Sequence, residues 1–202
     1  MLLLLAIFTP RISYCLNLLL IIKMVQEKQI VECVPNISEG RNKEVIKQVT
    51  DEIERVKGVK LLDVDPGEAT NRTVITFVGT PDVVMEAAFR CVQKAAQLID
   101  MRQHHGAHPR MGATDVCPLI PVSGITLEEC AELARKLAER IANELKVPCY
   151  CYEAAARTPE RKNLAICRKG EYEGLQERMT VEKEAPDFGA RPWDEGVARS
   201  GC

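Results

Sequence analysis

The sequence predicts an α+β domain: a ferredoxin-like βαββαβ two-layer sandwich with one further helix and strand appended. Three observations carry that expectation. Between residues 30 and 122, short β-rich apolar runs alternate with stretches of helical period in the order strand, helix, strand, strand, helix, strand. The helical stretches carry recognisable start and stop signals. The chain has 202 residues, 46% hydrophobic and 28% charged, which suits a soluble globular protein with one sizeable core.

The elements follow in order. Residues 30–35 form an apolar strand, and Asn36-Ile37-Ser38-Glu39-Gly40 a polar turn. A helix over about 42–57 places Ile46, Val49, Ile53 and Val56 on one face, and Gly58 ends it. Residues 59–64 read as the second strand, Asp65-Pro66-Gly67-Glu68 as a turn, and residues 73–79 as the third strand. Thr80-Pro81-Asp82 signals a helix start, with a capping hydroxyl and a proline at the first helical position, for a helix running to about residue 100. A polar loop over 102–113 leads to the fourth strand at about 115–122. Thr126 and Glu129 form a capping box for a third helix, which Pro148 prevents from continuing. Residues 147–152 read as a fifth strand and 171–178 as a short helix, followed by a divergent, flexible tail over 181–202.

Residues 1–23 are an apolar N-terminal extension. Its two apolar runs are separated by Pro10, Arg11 and Ser13, and each is too short to span a membrane. A signal anchor is the lesser alternative, and Met24 is the natural start of a domain running to about residue 180. Lys and Arg total 27 against 29 Asp and Glu, so no bulk charge draws the chain to nucleic acid or anionic lipid. The nine cysteines include no CxxC pair and read as reduced core residues, which points to the cytoplasm.

All three histidines lie in His104-His105-Gly106-Ala107-His108, between a helix end and a strand start. They are solvated loop residues, a zinc site, or a general acid/base. Gly106 and Pro109 break any helix that would align His104 with His108, so no metal is expected. Imidazole both takes and gives protons near neutrality, which keeps the acid/base reading open. Asp63 and Asp65 stand two apart on one strand face, as turn-forming acids or as partners of an imidazole. Arg72 and Arg110 carry planar forks suited to carboxylates, or form surface ion pairs. Asn71-Arg72-Thr73 matches a glycosylation sequon, relevant only in a secreted chain.

Several separated motifs, in order and with compatible spacing, resemble one family. They are Val34-Pro35-Asn36-Ile37-Ser38-Glu39-Gly40, Leu61-Leu62-Asp63-Val64-Asp65, Thr70-Asn71-Arg72-Thr73-Val74 and His108-Pro109-Arg110-Met111-Gly112-Ala113, continuing through Asp115-Val116-Cys117-Pro118 and Gly170-Glu171-Tyr172-Glu173 to Pro186-Asp187-Phe188-Gly189. Together they resemble the N-terminal subdomain of glutamate formimidoyltransferase, the transferase part of formimidoyltransferase-cyclodeaminase. The resemblance implies transfer of a formimino group from N-formimino-glutamate to tetrahydrofolate in histidine breakdown, a branch of one-carbon metabolism. It puts His108 on the catalytic histidine and Asp65 on an acidic active-site position. Asn36, Arg72, Arg110 and Gly112 become folate- or substrate-binding candidates, with tetrahydrofolate as co-substrate and no metal. Ala107 stands where a family member has a glutamate. The family's second subdomain and cyclodeaminase part have no counterpart, the chain diverging near Ala190. Two expectations follow: an enzyme, completed as a homodimer, or a non-catalytic folate-binding or protein-interaction module.

Overall fold

A computed structural model of the chain describes residues 28–202, so the apolar extension and Met24 lie outside the described residues. It is a mixed α/β domain built on an antiparallel six-stranded sheet. The strands are β1 (Ile30–Cys33), β2 (Asn36–Ile37), β3 (Lys60–Gly67), β4 (Arg72–Gly79), β5 (Thr114–Val116) and β6 (Leu119–Ser123). The main path is β5-β2-β4-β1-β6, and β3 pairs with β4. β1 and β2 lie end to end along β4, β1 opposite Phe77 to Gly79 and β2 opposite Thr73 and Val74.

Two prolines explain where the sheet departs from the expected strands. Proline has no N–H to give a ladder. Pro35 interrupts the first strand, which resumes at Asn36–Ile37, where a turn is expected from sequence. Pro118 splits the fourth strand into β5 and β6 in the same way. Pro66 is tolerated because its strand, β3, pairs on one side only. The second strand therefore runs on to Gly67, through residues expected in a turn.

Helix α1 (Lys43–Glu54) begins where the Asn42 side chain accepts hydrogen bonds from the amides of Glu44 and Val45. Helix α2 (Pro81–Leu98) has its proline at the start, but the Thr80 hydroxyl makes no capping bond, contrary to the sequence expectation. Helix α3 (Leu127–Leu145) has the expected Thr126–Glu129 box and ends at Lys146 in the left-handed region. Among the described residues no helix is long and apolar enough to cross a membrane.

The core lies on one face of the sheet. Along β4, Thr73, Ile75, Phe77 and Gly79 are buried while Arg72, Val74, Thr76 and Val78 face the other way. The buried row packs with Val31 and Cys33 and with Ile46, Val49, Ile53, Val84, Ala88 and Ala95 of the helices. Each large apolar side chain so buried contributes about 1.5–3 kcal/mol.

The C-terminal quarter requires one correction. Residues 147–152 form no fifth strand; one bridge, Cys149 with Phe188, is all that pairs. Side-chain chemistry replaces the ladder there, because the Asp187 carboxylate accepts from the Cys151 amide at 2.8 Å and pairs with Arg161. Residues 181–202, expected as a flexible tail, carry a helix and contacts to the domain. After the short helices α4 (Leu164–Cys167) and α5 (Glu171–Arg178) comes α6 (Glu195–Ser200), whose Val197 is fully buried. The chain then pairs Gly201 with Gly112, and the Ala113 amide donates to the Ser200 carbonyl at 2.7 Å.

Candidate functional site

The histidine loop is seated on the turn between β3 and β4. Asn71, at φ 49°, is nearly buried and ties three segments together. Its Oδ1 accepts from the Gly40 amide at 3.0 Å and its Nδ2 donates to the His105 carbonyl at 3.1 Å. The Ala107 amide donates to the Ala69 carbonyl at 3.3 Å. Gly106 is a glycine because a Cβ there would lie 2.1 Å from the Thr70 carbonyl oxygen.

This seat presents His108, half-buried, to the sheet face opposite the helices. Arg72 reaches it from the first position of β4. The Arg72 Nε donates to Asn36 Oδ1 at 2.9 Å. Its Nη1 lies 2.8 Å from His108 Nδ1 and 2.7 Å from Asp115 Oδ2. The carbonyl of Pro109 sits 2.6 Å from the same His108 Nδ1. Asp115 is the anchor, with its side chain 1% exposed. It accepts from the Met111 amide at 3.0 Å and from Arg168 through both carboxylate oxygens. Burial lowers the affinity of Arg72 for its proton, and the adjoining Asp115 charge offsets this only in part; the guanidinium remains an ion. Two guanidiniums on one carboxylate leave the cluster net positive, a setting that attracts an anionic ligand. Asp115 and Arg168 also line a cavity of about 440 Å³ whose wall is largely apolar, including Leu119, Leu127 and Tyr152.

A second arginine–histidine pair lies beneath the loop. Arg110, buried, donates from Nε to His104 Nδ1 at 3.2 Å and from both Nη atoms to Glu173 at 2.7 Å. Arg110 Nη1 also reaches Glu171 at 3.3 Å. His104 Nε2 contacts the Asn71 carbonyl at 2.8 Å. Because Arg110 must donate, Nδ1 accepts and Nε2 carries the proton. Burial holds the His104 pKa below its ordinary value.

Comparison with known proteins places this arrangement. The model of the formiminotransferase domain, N-terminal subdomain, matches residues 30–202. The chain belongs to this family. It is 54% identical over 161 residues to the formimidoyltransferase-cyclodeaminase of Sus scrofa, covering 80% of this chain and 30% of that protein. It is 49% identical over 163 residues to the glutamate formimidoyltransferase of Streptococcus pyogenes serotype M1, covering 81% of this chain and 54% of that one. A third relative, the glutamate formimidoyltransferase of Thermoplasma acidophilum, is 45% identical over 162 residues. The chain thus spans about a third to a half the length of these relatives. The family match runs through to Cys202, past Ala190, where the sequence reading puts a divergence.

In this formiminotransferase subdomain His108, Arg72 and Asn36 come together, and the other candidates stand apart from them. Asp65, exposed on the outer strand β3, is in register with Val74, which is in register with Asn36. Its carboxylate makes no hydrogen bond or ion pair among the described residues. Arg110 is held by Glu173 and His104. Gly112 serves packing: a Cβ there would lie 2.1 Å from the Cys202 carbonyl oxygen. Asp115 and Arg168 complete the cluster without having been singled out from sequence. A lone acid just before the apolar stretch Val116-Cys117-Pro118-Leu119, in one of the motifs that carry the family resemblance, is the available signal for Asp115; Arg168 has none. Among the described residues no group of three or more His, Cys, Asp or Glu side chains is arranged to hold a metal ion.

Proposed function

We propose that the chain carries the formimino-transfer site of its family, moving the group from N-formimino-glutamate to tetrahydrofolate with His108 as general acid/base. One observation carries this reading. The half-buried His108 has Nδ1 engaged, while its Nε2 makes no hydrogen bond among the described residues. Arg72 Nη2, on the guanidinium that touches the same ring, is likewise without a hydrogen-bond partner among the described residues, so a proton-transfer atom and an anion-binding donor are both left available in one cluster.

His108 Nε2 takes the proton from the folate nitrogen as that nitrogen bonds to the formimino carbon. It then delivers the proton to the glutamate nitrogen as the carbon–nitrogen bond to glutamate breaks, leaving formimino-folate and glutamate. Arg72 grips a substrate carboxylate through Nη2, and Asn36 steadies Arg72. Asp65, one strand over from Val74 and two from Asn36, serves as the acidic partner of bound substrate. Arg110 acts on the loop and Gly112 on the chain terminus, both one step removed from substrate. Holding two substrates together supplies a large part of the acceleration. We read the scaffold itself as the ferredoxin-like arrangement, which the antiparallel order supports.

The test is direct. Full-length protein mixed with N-formimino-glutamate and tetrahydrofolate yields 5-formimino-tetrahydrofolate, and His108→Ala removes the product. A folded wild-type protein that gives no product at any protein concentration, including those favouring a homodimer, ends the enzymatic reading. Calorimetric titration with tetrahydrofolate then separates a folate-binding module, which gives heat, from a protein-interaction module, which does not.

A further inference from the structure

We infer that Arg72 selects the tautomer of His108, and that a carboxylate drawn onto Arg72 reverses the selection, turning the ring from a proton donor into a proton acceptor. This rests on the proposed transfer reading for its purpose, but not for its geometry.

His108 Nδ1 has two neighbours that require opposite protonation. Arg72 Nη1, at 2.8 Å, can only donate, so Nδ1 must be bare and the proton sits on Nε2. The Pro109 carbonyl, at 2.6 Å, can only accept, so Nδ1 must carry the proton and Nε2 is bare. A neutral ring satisfies one of them at a time. Arg72 Nη1 has two protons and two acceptors within reach, Asp115 Oδ2 at 2.7 Å and the ring nitrogen at 2.8 Å, and a charged donor makes the stronger bond, so we assign the first arrangement to the free protein. Nε2 then presents a proton to the substrate side, which is the wrong form for accepting one.

When Arg72 moves it gives up its 2.9 Å bond to Asn36 Oδ1, but it leaves no buried charge unpaired. Asp115 keeps the Met111 amide and Arg168 when Arg72 turns away, so its charge stays paired. Asp115 and Arg168 are therefore positioning residues, holding Arg72 against the ring until a ligand competes. When a substrate carboxylate, met first by Nη2, draws the guanidinium toward itself, Nη1 parts from Nδ1, which then faces only the Pro109 carbonyl. The Nε2 proton leaves to water and a proton returns at Nδ1, with no net change in protonation. The ring then donates to Pro109 and offers a bare Nε2. Binding of the donor's carboxylate thus arms the base.

The three histidines make this readable by nitrogen NMR on full-length protein labelled at histidine. His104 is an internal standard, fixed with its proton on Nε2 between Arg110 and the Asn71 carbonyl. In free wild-type protein at neutral pH, His108 should match His104, with a pyridine-type Nδ1 signal. Glutarate, as a carboxylate probe, should exchange the pyridine-type and pyrrole-type signals of His108 and leave His104 unmoved. Arg72→Gln should show the exchanged pattern from the start and ignore glutarate. A protonated Nδ1 in the free wild type, which needs no variant to observe, overturns the inference. So does an Arg72→Gln spectrum identical to wild type, or a wild-type ring unmoved by saturating glutarate. The transfer assay is separate: absent turnover refutes the proposed reaction and leaves the spectra to decide the tautomer.

Discussion

The loop from His104 to Arg110 holds two arginine–histidine pairs that differ in what is left unused. In the lower pair both imidazole nitrogens of His104 are bonded, and the Arg110 fork is filled by Glu173 and His104. In the upper pair one nitrogen of His108 and one terminal nitrogen of Arg72 are left without a hydrogen-bond partner among the described residues. The same two residue types therefore serve as a staple in one place and as a reactive pair in the other. Residue type does not decide this; burial and the supply of neighbouring carbonyls and carboxylates do.

The largest expected difference is catalytic. His108→Ala should lower the rate of formimino transfer about 10²–10⁴-fold, the usual worth of a general acid/base, with an unchanged unfolding midpoint. His104→Ala should leave the rate per folded molecule within a few-fold. Equal loss of activity in both variants would dissolve the distinction between the pairs.

Next in size is the anchor of the upper pair. Asp115→Ala leaves the Arg72 and Arg168 guanidiniums facing each other without their buried carboxylate. Breaking such a pair from one side costs about 3–5 kcal/mol, so urea unfolding should show a loss of that order. Asp115→Asn, which keeps the acceptor and removes the charge, should lose less.

Why the sequence reveals the upper pair only in part follows from the same contrast. Arg72 and His108 sit in motifs whose neighbours signal a turn and a loop, and the family resemblance marks them independently. Their anchors are 43 and 53 positions away, Asp115 from Arg72 and Arg168 from Asp115, and no local pattern encodes a contact of that span. The helices were legible because their period and caps are local. The fifth strand was misread because Val147-Pro148-Cys149-Tyr150-Cys151-Tyr152 has a β-rich composition whose partner is a side chain, Asp187, and not a neighbouring strand. The division of strands at Pro35 and Pro118 was legible in principle, since proline's missing donor is a local fact.

The buried pair also sets a pH dependence. His104 is held neutral in the fold, with its pKa lowered by burial. Above the unfolded-state value of about 6.5 neither state protonates it, and its full contribution is present. As pH falls through that value the unfolded chain gains a proton that the folded chain refuses, and stability drops. His104→Gln cannot charge, so its unfolding free energy should fall less steeply from neutral to mildly acidic pH than that of wild type. Parallel slopes in the two proteins would remove His104 as the cause. The loss of the two His104 bonds in that variant should itself cost about 1–3 kcal/mol at neutral pH.

The smallest effect tests whether geometry or charge closes the lower pair. Glu173 grips Arg110 with two parallel bonds of 2.7 Å, whereas Glu171 reaches it once, at 3.3 Å. Both carboxylates are well exposed, at 64% and 42%, so water screens their Coulomb attraction to similar degrees. If charge alone mattered, Glu171→Gln and Glu173→Gln would cost the same. Because a fork-to-fork pair fixes both partners while a single long contact fixes neither, Glu171→Gln should fall within about 0.5 kcal/mol of wild type, and Glu173→Gln should cost about 1 kcal/mol. Double-mutant cycles with Arg110→Met, read by urea unfolding in low and high salt, measure both couplings. A larger coupling for Glu171, or one for Glu173 that vanishes in high salt, would mean that the staple is held by long-range charge, and that His104 is fixed less firmly than its two hydrogen bonds imply.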